Sequence, residues 1–430
     1  MFITNKENLM ADRTRIDGHK MDMHPERLAQ WRAGKDRWET AKDIFPIYVE
    51  MSPYGVCNHQ CTFCSVDYMI DRDDHPVLRY DIFARTLEDM AKRGVLAIMF
   101  AGTGEPTLYR DHVAKKDLAD IIVLCDELGL DTALTTNASH LKEDFCERAF
   151  KASRLRWVRA SFNAGTPEVY ARIHRTKEKD FHTVVENLRT AVKVRNGYGA
   201  RVEIQGQLVA VPAAPGVKGR RSLMITEEYP SNVHTILPLA KLLKEIGVDN
   251  FSVKPFKQHT VALDPTGKKE LGITRSDMYH GKSAPTDEWL KTFDEVQREE
   301  TEKFEITIRR EGMYQVEAAW RGYDTCYSTP YFWAYVEADG ELWGCSAYVG
   351  RIEKGREIGD HRFRFGNVND QSFTAIWQGE RRKACWEYTR KPPSEGGLDV
   401  SECFKNCQMD LPNLYLWRLQ GPDSTRNLIK

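Results

Sequence analysis

A long apolar run is missing from this chain of 430 residues. The segment "LADIIVLC" is among the longest, and it falls far short of the roughly 20 residues that a membrane helix needs. The apolar core of a signal peptide is missing too, since the first residues, "MFITNKENLMADRTRIDGHK", are polar and charged. Neither sign of charge is in excess. With 62 basic and 63 acidic residues the net charge is −1, which argues against a protein that lives on nucleic acid or an anionic membrane. Internal repeats and low-complexity tracts are also lacking. A soluble, cytoplasmic protein is expected, with 41% apolar residues to build two or three domains, or one large barrel with an appendage.

Cysteine, by contrast, is plentiful: there are ten. In a large chain without a secretion signal, metal or redox chemistry is a better expectation for them than structural disulfides. Cys57, Cys61 and Cys64 fall inside "VCNHQCTFCSVDY" at C-x3-C-x2-C spacing. A structural zinc would want a fourth ligand, for which His59 and His75 are the neighbours available. A cubane iron–sulfur cluster on three thiolates would instead keep one iron free of protein ligands.

From about residue 46 to 256, β-rich runs alternate with amphipathic ones. Strands are expected at 46–52, 96–102, 131–137, 156–162, 201–211 and 250–256. Helical stripes are expected at 81–94, 116–129, 180–194 and 232–247, with a further helix near 287–303 and a strand at 304–310. Such alternation means βα units and a parallel sheet, with ligands at the C-terminal strand ends. Long loops at 212–231, which includes the basic segment Lys218–Arg221, and at 258–288 read as lids, binding elements or disordered segments. Residues 320–430 hold five of the cysteines and six of the ten tryptophans, and a hairpin turns at Asp339–Gly340, so a second, smaller domain is expected there.

The three cysteines follow the first strand, and Phe63 precedes the last of them. After the second strand comes "FAGTGEPTLY". Together these resemble the radical S-adenosylmethionine (SAM) superfamily, with Thr103 in place of one glycine of that family's Gly-Gly-Glu-Pro segment. The resemblance implies a partial (β/α)6 barrel. It implies a [4Fe–4S] cluster on Cys57, Cys61 and Cys64 whose open iron chelates SAM, and reductive cleavage to a 5′-deoxyadenosyl radical that abstracts a substrate hydrogen. By the same resemblance the cofactor-binding candidates are Phe63, Gly102, Thr103, Gly104, Glu105 and Pro106, then Thr136 and Asn137 in "TTNAS", and Arg159, Ser161 and Asn163 in "VRASFNAG". An electron donor such as flavodoxin or ferredoxin is implied as partner.

Cys326, thirteen residues, Gly340, four residues and Cys345, followed much later by Cys403 and Cys407 in "CFKNC", resemble the opening and close of SPASM or twitch auxiliary domains. This implies one auxiliary [4Fe–4S] cluster on Cys326, Cys345, Cys403 and Cys407, with a structural zinc as the alternative. The expected division is an N-terminal extension (1–45), the partial barrel (46–303), a connecting segment (304–321) and the auxiliary domain (322–430). Cys125 and Cys146 read as core. Cys385 has three readings: core, ligand in an altered cluster set, or hydrogen-atom donor; Arg381, Arg382 and Lys383 nearby would depress its pKa, whereas hydrogen-atom donation needs the thiol form.

Polar rows on the fifth strand (Glu203, Gln205, Gln207) and the sixth (Ser252, Lys254, Phe256) are expected to line the lumen, with Lys254 a catalytic candidate. Such a lumen suits a small polar substrate, namely a sugar, aminocyclitol or sugar nucleotide that is dehydrogenated or epimerised. The roughly 45 residues before the barrel, too few for a leader-binding winged helix, tilt the expectation the same way. The alternatives are a peptide epimerase or a thioether or cross-link maturase and, of another class, a zinc-stabilised binding protein.

Overall fold

The computed structural model describes residues 20–64, 66–70, 74–211, 213, 231–255, 287–310, 321–353, 356–358, 360–403 and 407–420. Phe256, the segment Lys218–Arg221 and nearly all of both long loops lie outside the described residues.

Each expected barrel strand forms: β1 (Tyr48–Met51), β2 (Ala97–Phe100), β3 (Asp131–Thr136), β4 (Leu155–Ser161), β5 (Glu203–Ala210) and β6 (Asn250–Pro255). They pair in parallel in chain order, as right-handed βα crossovers require. A seventh strand, β7 (Glu305–Ile308), adds to β6 in parallel, so the segment expected to connect the domains supplies a strand of the barrel sheet. At the other end β8 (Trp333–Val336) pairs in parallel with β1 and carries β9 (Glu341–Trp343) and β10 (Arg364–Asn367) antiparallel beside it. The result is one sheet of ten strands in the order β10-β9-β8-β1-β2-β3-β4-β5-β6-β7.

Period-2 alternation gives this sheet two unlike faces. Val49, Met51, Ile98, Phe100, Leu134, Val158, Ile204 and Phe251 are buried on the helix-covered face. Register aligns Tyr335, Glu50, Met99, Ala133, Trp157 and Glu203 across the other face, with Thr135, Arg159 and Gln205 one level up. This second face is the polar lumen.

Besides the single turns Trp38–Ala41 and Asp67–Ile70, the helices of the described residues are α1 (Pro25–Gly34), α2 (Tyr80–Lys92), α3 (Leu118–Glu127), α4 (Glu143–Ala149), α5 (Pro167–His174), α6 (Glu178–Tyr198), α7 (Ile236–Ile246), α8 (Asp287–Gln297), α9 (Phe373–Trp377), α10 (Glu380–Arg390) and α11 (Asp410–Arg418). The apolar stripes of α2, α3, α6 and α7 are those expected. The short α4 and α5 are additional, having too few turns to show a period. None of the described helices is long and apolar enough to cross a membrane.

Residues 20–47 of the N-terminal segment pack on the C-terminal part. Met21, Leu28, Trp31 and Ile44 form a core with Tyr331, Phe332, Trp386 and Leu416 of the C-terminal part. Arg382, fully buried, binds that junction together. Its guanidinium donates to the carbonyls of Ala41, Lys42, Ile44, Pro330 and Trp377 and stacks 4.1 Å from the Trp377 ring.

Candidate active site

The cysteine loop leaves β1 and is pinned from below by the end of α5. The Gln60 N–H donates to the His174 carbonyl (3.1 Å) and the Thr62 N–H to that of Ile173 (2.8 Å). Against its other side lies "GTGEP". Gly102 (φ 104°) and Gly104 (φ 111°) adopt backbone that side chains rarely enter, and a Cβ on Gly104 would stand 2.1 Å from the Tyr54 carbonyl oxygen. The Glu105 N–H completes the junction by donating to the Val56 carbonyl (2.9 Å).

Glu105 is buried, and its carboxylate is fully engaged. It accepts from the Thr107 hydroxyl (2.6 Å) and N–H (3.1 Å), the Asn137 N–H (2.6 Å) and the Thr136 hydroxyl. Burial raises its pKa, against the pull of those hydrogen bonds. Glu105 therefore ties the end of β3 to the glycine loop. Asn137 in turn reaches the cysteine loop, donating to Asn58 Oδ1 at 2.8 Å, with Cys57 Sγ at 4.0 Å. Thr103 is buried as well. Its hydroxyl donates to the Glu337 carboxylate, just past β8, while Ser52 Oγ donates to the Thr103 carbonyl (2.7 Å).

Other expected SAM contacts divide by face. Arg159 and Ser161 stand on the lumen side of β4. Arg159 Nε donates to Gln205 Oε1 (3.0 Å) and its guanidinium lies 4.1 Å from the Trp157 ring centroid. Asn163 instead is spent inside the protein: its Oδ1 accepts from the Val209 N–H (2.7 Å), and its Nδ2 lies 3.4 Å from His174 Nε2. Phe63 packs edge-on to His174, with ring centroids 5.9 Å apart. Lys254 is half-buried on β6, level with Val209 and on the face of Ser252, which accepts from Gln207 Nε2 (3.4 Å).

Residue-by-residue reading named His59 but missed Tyr48, Glu50, Tyr335 and His174. Tyr48 donates to Glu50 Oε1 (3.1 Å) in the lumen, and Tyr335 stands level with Glu50. His59 and His174 gather at Cys61, the three ligand atoms within 4.8 Å of one another. Burial lowers the His59 pKa to about 4 and that of His174 well below the ordinary value. His75, the other proposed fourth ligand, is exposed. Tyr48, Glu50 and Tyr335 could be found from strand alternation once the β1–β8 pairing was known. His174 carries no local signal.

In the C-terminal part, Cys326, Cys345, Cys403 and Cys407 face one another. Burial, then the charges of Cys407, Cys326 and Cys403, push the Cys345 thiol well up. Burial first and Cys326 next push Cys403 up to about 11. Burial pushes the Cys407 thiol far up as well, and thiols so raised, gathered beside Cys326, call for a cationic centre to become thiolates. Donors already point at them: Asn413 Nδ2 at 3.4 Å from Cys326, the Met409 N–H at 3.4 Å from Cys407, and the Tyr348 hydroxyl at 3.7 Å from Cys403. Thiolates held by such donors are ligands that an iron–sulfur cluster takes.

The expected depression of the Cys385 pKa does not occur. Cys385 is wholly buried on α10, where burial and then Cys326 push the thiol far up. Arg382 lowers it only in part, because its donors are turned to the carbonyl cage.

A family model described as the Radical SAM superfamily matches residues 51–200, and one described as the SPASM iron–sulfur cluster-binding domain matches residues 326–408. The chain belongs to the radical SAM superfamily. It carries a radical SAM domain followed by a C-terminal SPASM domain, and these domains take SAM and [4Fe–4S] clusters. The PqqA peptide cyclase of Rhodopseudomonas palustris is 32% identical over 128 residues, 30% of this chain and 32% of that protein. The GTP 3′,8-cyclase of Mannheimia succiniciproducens is 28% identical over 148 residues, 34% of this chain and 41% of that protein. The chain thus spans about a third to two fifths of the length of these curated relatives. Among solved structures, Streptococcus suis SuiB bound to S-adenosylmethionine aligns over 84% of this chain and 70% of its own, with TM-score 0.55 and 16% identity. SuiB bound to its precursor peptide SuiA aligns with TM-score 0.53, 16% identity and 84% and 69% coverage. These likenesses establish the fold. The zinc-stabilised binding protein is set aside.

Proposed function

We propose that the substrate is a peptide, modified by hydrogen abstraction that leads to epimerisation or to a thioether or carbon–carbon cross-link. This reverses the tilt toward a small polar molecule. The observation that carries it is the shared architecture through both barrel and auxiliary domain with SuiB, which has been solved with a precursor peptide. The partial match to a peptide cyclase supports it. The polar lumen suits such a substrate as well. Arg159, Gln205 and Glu203 form a hydrogen-bonded row of donors and acceptors, able to hold backbone amides. A small-molecule substrate is the second reading, favoured by the match to GTP 3′,8-cyclases.

When bound, SAM and the cluster of Cys57, Cys61 and Cys64 supply the hydrogen-abstracting radical. The chain's own residues hold the glycine loop against the cysteine loop through Glu105, present Arg159 to the lumen, and set one auxiliary [4Fe–4S] cluster on Cys326, Cys345, Cys403 and Cys407. No further cysteine set remains for a second, since Cys125, Cys146 and Cys385 are buried in the core. A low-potential flavodoxin or ferredoxin supplies the electron.

The test is a screen of the anaerobically reconstituted enzyme against peptide and metabolite fractions of one extract, scored by 5′-deoxyadenosine release. Stimulation by the peptide fraction is expected, with either an unchanged peptide mass or loss of two hydrogens. Stimulation by the metabolite fraction alone would overturn the peptide reading.

A further inference from the structure

We propose that His174 is a positioning residue for the SAM-cleaving cluster. It donates an N–H···S hydrogen bond to Cys61, and this bond raises the reduction potential of the cluster. His174 ends α5, 113 residues from Cys61, with only 1% of its surface exposed. Its Nδ1 lies 3.1 Å from Cys61 Sγ.

The direction of that bond follows from a chain of obligatory donors. The Val209 N–H can only donate, and it does so to Asn163 Oδ1 (2.7 Å). This fixes which end of the Asn163 amide is oxygen and leaves Nδ2 as the donor at 3.4 Å from His174 Nε2. The Asn163 backbone N–H, also only a donor, reaches the same Nε2 at 3.4 Å. Nε2 is therefore the unprotonated nitrogen. The ring proton sits on Nδ1 and points at the Cys61 sulfur. The backbone bonds from Gln60 and Thr62 to the His174 and Ile173 carbonyls hold ring and loop in register, so the sulfur cannot drift from its donor.

Hydrogen bonds to cluster sulfurs are one of the levers that set iron–sulfur potentials. A donor on a ligand sulfur stabilises the reduced, more negative state. Fixing Nδ1–H on Cys61 thus eases the one-electron reduction that precedes SAM cleavage.

Two substitutions separate hydrogen bonding from packing. His174→Gln keeps an acceptor near the Nε2 position for Asn163 but removes the donor to Cys61. His174→Asn places an amide N–H near the Nδ1 position. Iron and sulfide content, and the change in the electron paramagnetic resonance (EPR) signal on adding SAM, are read first, so that cluster loss is seen separately from loss of the bond. The midpoint potential of the SAM-responsive signal is then titrated. The expected result for His174→Gln is about a tenfold fall in the reduced-to-oxidised ratio at fixed potential, about 59 mV for a one-electron couple, with His174→Asn close to wild type. Equal potentials in His174→Gln and wild type would overturn the proposal, as would equal lowering in both variants. A measurement on the wild-type holoenzyme stands if a variant fails to load: pulsed EPR of the reduced, ring-15N-histidine-labelled protein should show a coupled histidine nitrogen, and absence of that coupling overturns the proposal.

Discussion

Position 103 carries threonine where the family segment has glycine, and the structure gives the substitution a use. Its hydroxyl donates to the buried Glu337 carboxylate, so a residue of the glycine loop after β2 is tied to a residue of the C-terminal hairpin. Thr103→Val keeps the shape and removes the donor, taking one hydrogen bond from a buried carboxylate. A loss of about 1–3 kcal/mol follows, read by denaturant unfolding, together with weaker SAM binding by calorimetry. Thr103→Ser restores the hydroxyl and should match wild type. If the valine variant unfolds like wild type, the tie contributes nothing. At this scale the sequence was legible wherever a residue belongs to a contiguous motif, as the three cysteines and "GTGEP" do. Glu337, Ser52 and His174 act across separations of 234, 51 and 113 residues, and nothing beside them in the chain marks the partner.

The loop after β2 works as an element because it lies against the backbone of the cysteine loop. A Cβ on Gly104 would meet the Tyr54 carbonyl at 2.1 Å and the Val56 carbonyl at 2.9 Å, and both are main-chain atoms with no rotamer to retreat into. With φ at 111° an alanine is strained there besides. Gly104→Ala should therefore displace the cysteine loop and spare the distant auxiliary set, lowering iron from about eight to about four per chain, since each cubane holds four. Gly129→Ala is the control: its φ is 77°, but nothing lies within 4 Å of the added Cβ. It should cost roughly 1 kcal/mol and leave iron content unchanged. An iron content of Gly104→Ala equal to that of the control would show that the close approach does not position the cysteines. The six barrel strands and the long helices were legible from period and turn residues. The short α5 was not, although it carries the floor of the cysteine loop, because eight residues hold barely two turns of pattern.

Across the whole molecule, barrel and auxiliary domain share one sheet, and the N-terminal segment is fastened to the C-terminal part. The alternation of strands and helices made the barrel legible. The pairing of β8 with β1 was not, since a parallel ladder between strands some 285 residues apart, Tyr48 with Trp333, leaves no local trace. Arg382 shows the same limit: beside Cys385 in sequence it reads as an electrostatic neighbour, whereas its five carbonyl partners come from three separate stretches of chain. Burial lowers the guanidinium pKa to about 9, so it remains charged at neutral pH and its hydrogen bonds are charge-assisted. Removing it strands those carbonyls in a dry core. Arg382→Met should cost at least about 3 kcal/mol in denaturant unfolding and should open residues 21–45 to limited proteolysis before the barrel is cut. Arg382→Lys should fall between, because one ammonium cannot span the cage that a planar fork fills. The continuous ten-stranded sheet predicts that unfolding of the methionine variant remains a single transition at a lower midpoint. Separate transitions for the barrel and the C-terminal part would show instead that the shared sheet does not couple them, and that the Arg382 cage alone joins the two ends of the chain.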